Sequence, residues 1–492
     1  MRDNPGMNAV PLPLPFPTWK KGSAAASSTA PATPTTLPVV TNLTDARELR
    51  APRYTSYPSA DRFTESFSAR DLAAWLAREG RDPATAWSIY VHVPFCESLC
   101  YYCACNRIIT RDHARSGPYL DQLEREVDLV VGHLGRRVRV EQMHWGGGSP
   151  TFLAGDELTR LARMMRDRFE FTDDGDYSIE VDPRTIGADE VALLASLGFN
   201  RMSLGVQDFD PDVQRAVNRI QPAELTATLV HAARERGFRS INFDLILGLP
   251  RQTVETFDRT IDQVLQMRPD RIALYHYAHL PERFRAQRLI ESSGLPDAEQ
   301  KAAIMALARR RLGEAGYQHI GIDHFALPDD ELAVARRTGH LHRSFQGYTT
   351  RAGCNLIGLG VSAISQLGGA YSQNARDIAG WRAALLRGEL PVWRGMELDA
   401  DDQARRDVIM SLMCGGTIGF DEVEGSHGLT FENAFAEELA ELSGYREAGL
   451  VSLADRRLSV TEAGLPFVRL ISATFDRHLR SGPRTATYSR VV

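Results

Sequence analysis

The sequence predicts an α/β protein: an open, partial (β/α)6 TIM-like barrel, followed by a mostly helical C-terminal region that ends in a winged-helix-like module. Three observations predict it. Six short β-rich runs stand out at Ile89–Val93, Gln142–Trp145, Tyr177–Val181, Arg201–Val206, Ile241–Leu247 and Arg271–Tyr277. The first five are each followed by an amphipathic stretch of 3.6-residue spacing, among them Tyr119–His133, Asp156–Phe169, Ala223–Arg236 and Thr253–Met267. Each run also ends in polar or glycine-rich residues. Alternating strands and helices give a parallel sheet covered by helices. Six units leave the barrel open rather than closed on itself.

The elements follow in order. Residues 1–40 are rich in Pro, Ala, Ser and Thr and cannot bury enough apolar surface to order themselves, so a disordered tail is expected. No charged segment followed by an apolar run marks a secretion signal there. An N-terminal arm over 41–87 carries Arg53-Tyr-Thr-Ser-Tyr-Pro58 and a helical pattern near 69–80. The barrel core spans 88–285. Its first strand leads into cysteines, and its second ends on Gly146-Gly-Gly-Ser-Pro150. The third ends Glu180-Val-Asp182 and the fourth Gln207-Asp208. The fifth begins at Asp244 and closes on Gly248-Leu-Pro250, and the sixth carries His276 and Tyr277. In parallel α/β folds the C-terminal strand ends form the site. The glycine run reads as a tight turn with Ser149 as N-cap and Pro150 at the first helical position. It also lets backbone approach a ligand, with a helix N-terminus behind it that favours a carboxylate.

Residues 286–400 read as an accessory region lining the site, with a helix at Ala298–Ala315 and polar, aromatic stretches at Asp323-His-Phe325 and Arg343–Thr350. Gly358-Leu-Gly-Val-Ser-Ala363 lacks the third glycine and the strand–ribose acid arrangement of a dinucleotide loop. Residues 401–492 show helices near 402–414, 431–447 and 461–478, with a hairpin over Gly449–Val460. Winged-helix modules serve in DNA binding or in packing, and the charge balance favours packing.

Composition narrows the function. The chain has 492 residues, 43% hydrophobic and 24% charged, as in an ordinary globular protein. A net charge of −6 argues against a dominant nucleic-acid surface. No apolar run is long enough for a membrane span. Lysine occurs only at Lys20, Lys21 and Lys301, a bias that carries little functional weight. Four of the six cysteines cluster, which fits a reducing, cytoplasmic compartment.

Those four cysteines carry the chemistry. Cys96, Cys100 and Cys103 form C-x3-C-x2-C, and Cys105 follows. Three thiolates can hold three irons of a 4Fe–4S cluster and leave the fourth iron open to a ligand. The competing reading is a zinc knuckle, but structural zinc usually takes ligands as two separated pairs. Cys354 and Cys414 stand far away and read as buried thiols.

The motifs together resemble one family. They are Arg53-Tyr-Thr-Ser-Tyr-Pro, Tyr90-Val-His-Val-Pro-Phe-Cys, His144-Trp-Gly-Gly-Gly, Ser178-Ile-Glu-Val-Asp-Pro, Gly205-Val-Gln-Asp-Phe, Val217-Asn-Arg, Tyr277-Ala-His-Leu-Pro and Phe345-Gln-Gly-Tyr-Thr-Thr. From about residue 45 onward the chain resembles the oxygen-independent coproporphyrinogen III oxidases, radical enzymes of haem biosynthesis that use S-adenosylmethionine (SAM). The resemblance implies a barrel of the radical SAM type, a 4Fe–4S cluster on Cys96, Cys100 and Cys103, and two SAM molecules. Cys105 matches the family's fourth cysteine, which is not a ligand. The first SAM would contact Tyr90, Gly147, Glu180 and Ile364. The second would contact Tyr102, Gly148, Ser149, Gln207, Arg219, Asp244 and Ala278. Tyr102 replaces the family's phenylalanine and Ser149 its threonine, and each keeps the ring or the hydroxyl.

The implied reaction is oxidative decarboxylation of two propionates of coproporphyrinogen III to vinyl groups, started by a 5′-deoxyadenosyl radical. The cluster cysteines and Glu180 would be central to it. The chemistry also needs an electron donor and a final electron acceptor. The family further suggests a monomer without nucleic-acid or membrane partners. Arg53, Arg283 and Arg288 are candidates for holding the anionic substrate. Two rival readings come from relatives: a haem carrier and an anaerobic haem-degrading radical enzyme. The carrier lacks the fourth cysteine and the Arg-Tyr-Thr-Ser-Tyr-Pro arm, both present here, and the full second-SAM set disfavours the haem-degrading enzyme.

Overall fold

The computed structural model describes residues 50–480 and Tyr488, so the expected tail over 1–40 and the start of the arm lie outside the described residues. The six runs form strands β1 (Trp87–Val93), β2 (Arg139–Gly147), β3 (Glu170–Val181), β4 (Arg201–Gln207), β5 (Ser240–Leu247) and β6 (Arg271–His276). Successive strands pair parallel in chain order. The expected helices cover them at Ser116–Leu134, Gly155–Arg168, Ala223–Glu235 and Val254–Met267.

Side chains alternate across a strand. One face carries Ile89, Val91, Ile179, Leu204, Phe243 and Leu245, all fully buried in the main core. The other carries His144, Ser178, Glu180, Ser203, Asn242 and Asp244, which line a cavity. Parallel strands buried on both faces are normally apolar throughout. The polar inner face therefore marks a lumen built to hold something polar.

The sheet does not close. Beyond β6, strands β7 (Gln318–Gly321) and β8 (His324–Ala326) extend it antiparallel, with β8 beside β6. A hairpin of β9 (His342–Ser344) and β10 (Gly347–Thr349) stands apart. Strand β11 (Asn355–Leu359) then returns to the opposite edge and pairs parallel with β1, so the Gly358–Ala363 stretch is a strand end and the turn into the next strand, not a nucleotide loop before a helix. Strands β12 (Ile364–Leu367), β13 (Ala370–Asn374) and β14 (Val392–Glu397) continue antiparallel. The order is β14-β13-β12-β11-β1-β2-β3-β4-β5-β6-β8-β7. Residues 286–400 thus complete both edges of the barrel sheet as well as adding the hairpin.

Two local readings change. The glycine turn is followed by a single 3-10 turn, Pro150–Phe152, before the helix at Gly155, so no long helix points its N-terminus at the turn. The helix expected over 461–478 is broken into Leu465–Phe467, Val468–Ala473 and Arg477–Arg480. Pro466 sits in the first turn of this stretch, where its missing N–H is tolerated, so it marks a later helix start, and the chain leaves the helix again at 474–476.

The C-terminal region holds helices at Ala400–Gly415, Phe420–His427 and Ala436–Glu447 around a three-stranded antiparallel sheet of β15 (Thr417–Gly419), β16 (Val451–Ala454) and β17 (Arg457–Val460). Its core includes Val408, Leu412, Phe431 and Phe475, together with Ala51, Tyr54 and Tyr57 of the arm. The module therefore packs on the arm.

One buried carboxylate ties the β1–β11 edge together. Glu126, 1% exposed, accepts from Gly360 N at 2.8 Å, Asn374 Nδ2 at 2.6 Å and Trp381 Nε1 at 3.0 Å. Burial pushes its carboxyl up to about 7 against those three donors. Glu126→Ala should orphan all three donors and destabilise the fold by roughly 3–5 kcal/mol. A urea unfolding midpoint within error of wild type would contradict this.

Candidate active site

The cysteine loop leaves the C-terminal end of β1 and is pinned by backbone and side-chain hydrogen bonds. Gly148 N donates to Val93 O and Ser149 N to Phe95 O, both at 2.8 Å. On the other flank Ile108 N donates to Pro94 O at 2.7 Å and Thr110 N to Cys96 O at 2.9 Å. Across the mouth Asn218 Nδ2 donates to Leu99 O at 2.8 Å and Tyr101 N to Val217 O at 3.0 Å. His92 closes the loop, donating from Nε2 to Asn106 O at 2.9 Å. Burial holds this imidazole neutral, so its Nδ1 is free to accept from the Tyr90 hydroxyl at 3.1 Å.

The glycine turn fits this loop because it has no side chains. A Cβ on Gly148 would meet Pro94 C and O and Phe95 O at 2.7 Å. Gly147 has φ +121, and a Cβ there would meet the His92 ring at 2.7 Å. Ser149 occupies the N-cap position but does not cap with its side chain; its hydroxyl pairs with Thr151 Oγ1 at 3.0 Å instead.

Beside the turn, Glu180 accepts from Gly147 N at 3.1 Å and meets His144 Nε2 at 3.3 Å. Burial works to raise its carboxyl, but the His144 hydrogen bond and neighbouring donors hold it below the ordinary value. Its side chain is 43% exposed, toward the cavity. Deeper in the lumen, Asp244 accepts from Ser203 Oγ at 2.8 Å and Asn242 Nδ2 at 3.0 Å. Burial, reinforced by the charge of Glu180, raises Asp244 to about 6. Gln207 ends β4 at φ +66, a left-handed conformation costly for a non-glycine residue.

Cations surround the cysteines. Arg219 Nη1 lies 3.5 Å from Cys100 Sγ, and Arg184 Nη2 lies 3.7 Å from it. Arg219 also donates to Asp182 at 3.3 Å and to Gly205 O from both Nε and Nη2, at 3.2 and 2.6 Å. Its fork is thus largely engaged within the protein. Burial opposes ionisation of Asp182, yet Arg219 and Arg184 hold it at about 2. Burial, with Cys103 and Cys100 close by, pushes the Cys96 thiol up to about 12. The Cys105 thiol donates to Cys103 and pulls it down to about 6.

A cavity of about 400 Å³ runs from the cysteines into the lumen. It brings together Cys96, Cys100, Cys103, Tyr102, Gly147 and Gly148 at its mouth. Ser149, Glu180, Gln207, Arg219 and Asp244 also face it. Three site residues anticipated from sequence do not line it. Tyr90 stacks on the His144 ring at 5.9 Å, Ile364 packs beside Phe63 and Tyr371, and the Ala278 carbonyl accepts from Gln287 Nε2 at 3.2 Å. Arg283 and Arg288 lie outside the lining, the first over the Phe284 ring and the second bonded to Pro281 O. Residues given no role on sequence complete the walls, His144, Arg184, Ser203 and Asn242, and Gln346 joins them from the β9–β10 hairpin, within the stretch expected to line the site. The alternation of polar and apolar residues along β3, β4 and β5 was the signal that could have found the strand residues.

The donor set fits a 4Fe–4S cluster. Three thiols stand on one loop at a cavity mouth, and Arg107, Arg184 and Arg219 offset thiolate charge. Among the described residues no three His, Cys, Asp or Glu side chains converge on a single metal ion.

Comparison with known proteins agrees with this geometry. Residues 90–264 match the radical SAM superfamily and residues 398–467 the HemN C-terminal domain. The open parallel sheet and its cysteine loop are accordingly those of a radical SAM enzyme of the oxidoreductase type. An oxygen-independent coproporphyrinogen III oxidase from Pseudomonas aeruginosa is 48% identical over 90% of this chain and 97% of its own length. The Escherichia coli protein of the same name is 45% identical over 90% of this chain and 96% of its own. The solved structure of coproporphyrinogen III oxidase (HemN) from Escherichia coli superposes with a TM-score of 0.84, covering 86% of this chain and 97% of that one. The chain belongs to the oxygen-independent coproporphyrinogen III oxidase family.

With Asp244 poised near 6, ligand binding in the lumen should depend on pH. Lowering the pH through about 6 protonates Asp244 and removes an acceptor and a charge, so SAM affinity should fall. Asp244→Asn should bind more weakly throughout and lose that pH dependence. Calorimetric titration with SAM between about pH 5 and 8 tests this, and an unchanged pH profile in Asp244→Asn would contradict it.

Proposed function

We propose that the chain converts coproporphyrinogen III to protoporphyrinogen IX without oxygen, turning two propionates into vinyl groups in haem biosynthesis. One observation carries the reading. The cysteine loop and the glycine turn meet at the mouth of a polar lumen, in a chain similar along nearly its whole length to proteins of that activity. When bound, a 4Fe–4S cluster and SAM supply a 5′-deoxyadenosyl radical. Each decarboxylation removes from the substrate a hydrogen atom β to the carboxylate, carbon dioxide and one electron.

The chain's own residues bind, orient and exclude water. Cys96, Cys100 and Cys103 hold the cluster, and Cys105 supports Cys103 as a hydrogen-bond donor. The cavity residues would hold two SAM molecules. Gly147 and Glu180 would hold the first from the lining, with Tyr90 and Ile364 supporting it from outside the lining. Glu180 stays ionised and can take a ribose hydroxyl or an ammonium. Tyr102, Gly148, Ser149, Gln207, Arg219 and Asp244 would hold the second from the lining, with Ala278 supporting it from outside. Arg219 contributes chiefly as a fixed positive charge, because Asp182 and the Gly205 carbonyl already take most of its donors. The Gly147–Ser149 backbone approaches both ligands with no side chain in the way of the first two residues.

Each turnover needs a one-electron donor that reduces the cluster for SAM cleavage, and an acceptor for the electron the substrate gives up. We place the enzyme in the cytoplasm as a monomer; no helix among the described residues is long and apolar enough to cross a membrane.

Serine at position 96, 100 or 103 should abolish the cluster's visible absorbance and all 5′-deoxyadenosine formation. Cys105→Ser should retain the cluster. Absorbance and iron content after anaerobic reconstitution check this. Loss of the cluster in Cys105→Ser with retention in Cys103→Ser would overturn the ligand assignment.

A further inference from the structure

The cysteine loop has an inner and an outer side. The inner side faces the lumen, where SAM and the tetrapyrrole would lie beside Glu180 and Asp244. An electron for the cluster therefore arrives from the outer side. Phe95–Cys96 pairs in parallel with Ile108–Ile109, which sets Ile109 opposite Cys96. Neighbouring strands lie about 5 Å apart, so Ile109 stands one strand spacing from a cluster ligand. The chain then runs through Arg111 to the turn His113–Arg115. That turn is held on the loop, because His113 meets Glu97 at 3.2 Å and stacks on the Phe152 ring at 4.3 Å.

Two further segments join this side. Asn106 Nδ2 donates to Arg376 O at 2.9 Å and brings in the chain that follows β13. On the other flank Asn218 Nδ2 donates to Leu99 O, Arg219 reaches Cys100, and Ile220 follows them.

The surface they make is apolar and cationic. Ile109 is 40% exposed and Ile220 64%. A single exposed apolar side chain is ordinary. Two on opposite flanks of one cysteine loop, with cations beside them, have the make-up of a docking patch, apolar in part and charged at its rim. Arg111, Arg115 and Arg376 are exposed, and none of them has a carboxylate partner among the described residues. The Arg376 guanidinium lies over the Trp393 ring at 5.7 Å. The carboxylates on the same segments are engaged. Glu97 meets His113, Asp112 accepts from Ala114 N at 3.2 Å, and Asp377 accepts from Gly380 N at 2.8 Å. The chain as a whole carries a net charge of −6, so free arginines gathered at this loop run against its balance.

We propose that the outer face of the cluster loop docks a small acidic protein that carries the reducing electron. Ile109 and Ile220 supply its apolar contacts, and Arg111, Arg115 and Arg376 its charged ones. One electron passes from the carrier to the cluster; the carrier is oxidised, the cluster is reduced, and no bond forms or breaks. Redox encounters of this kind need little interface, under about 1,200 Å². Charge steers them more than buried area does. The inference rests on the proposed function, which supplies a cluster that must be reduced for each SAM cleavage.

The test uses cluster-loaded enzyme, kept anaerobic, with flavodoxin as the acidic carrier probe. Binding is read by calorimetric titration, and cluster reduction by loss of its visible absorbance on rapid mixing. The variants are the triple charge reversal Arg111→Glu, Arg115→Glu, Arg376→Glu, and separately Ile220→Ser. The charge variant should weaken flavodoxin binding about 10-fold or more and flatten its dependence on salt. Ile220→Ser should weaken binding several-fold. Both should hold wild-type iron content. With dithionite in place of flavodoxin, both should keep wild-type 5′-deoxyadenosine formation and KM for coproporphyrinogen III. Equal flavodoxin affinity in wild type and charge variant, or no binding by wild type, would overturn the docking face. So would a raised KM for coproporphyrinogen III under dithionite, which would assign the arginines to the anionic substrate. A wild-type enzyme that keeps its cluster yet forms no 5′-deoxyadenosine from SAM with dithionite would instead count against the proposed function itself.

Discussion

Two backbone hydrogen bonds between the ends of neighbouring strands organise this molecule. Gly148 and Ser149 donate to Val93 and Phe95, and so hang the cysteine loop on the turn that ends β2. The contact exists only because position 148 carries no Cβ, which would collide with the Pro94–Phe95 backbone. A large residue here would drive the loop away from the sheet and separate the thiols from Glu180 and the lumen. Bonds from Ile108, Thr110, Tyr101 and Asn218 then fix the loop's remaining length. The chemistry is thus placed by backbone geometry before any side chain acts.

The lumen beneath the loop follows from a second constraint. The barrel's outer strand faces are sealed by apolar residues under helices, while its inner faces carry hydroxyls, amides and carboxylates. Polar groups enclosed in this way are satisfied by one another or by a ligand. Ser203, Asn242 and Asp244 bond among themselves. Glu180 remains directed to the open space. The position of charge along the cavity is graded: guanidinium groups beside the cysteines, ionised Glu180 at the turn, and Asp244, its carboxyl raised to about 6, deeper in. That gradient suits a zwitterionic cofactor with a cationic sulfonium.

Much of this was legible in the sequence because short-range patterns dictate it. The six strands and their helices declare themselves by period, and the cysteine spacing and glycine run by type. What escaped depends on distant contacts. Strand β11 pairs with β1 although more than two hundred and fifty residues separate them, and no local pattern states that partner. The later start of the helix expected from 461 was visible in Pro466, but apolar spacing masked it. Arg184 reaches the cysteines through tertiary placement that spacing does not encode. Tyr90, Ile364 and Ala278 stand outside the cavity lining, as residues do when they support a wall or meet a ligand through backbone. The pairing of Arg53 with Asp323 likewise joins segments far apart in the chain.

Anaerobic turnover tests the central claim most directly. The reconstituted enzyme is given a reductant, SAM, coproporphyrinogen III and a cell extract as electron acceptor, and its products are oxidised and separated. The account predicts protoporphyrin, with 5′-deoxyadenosine formed alongside it. An enzyme that carries its cluster and cleaves SAM yet leaves coproporphyrinogen unchanged would contradict the account and point to another tetrapyrrole as the substrate.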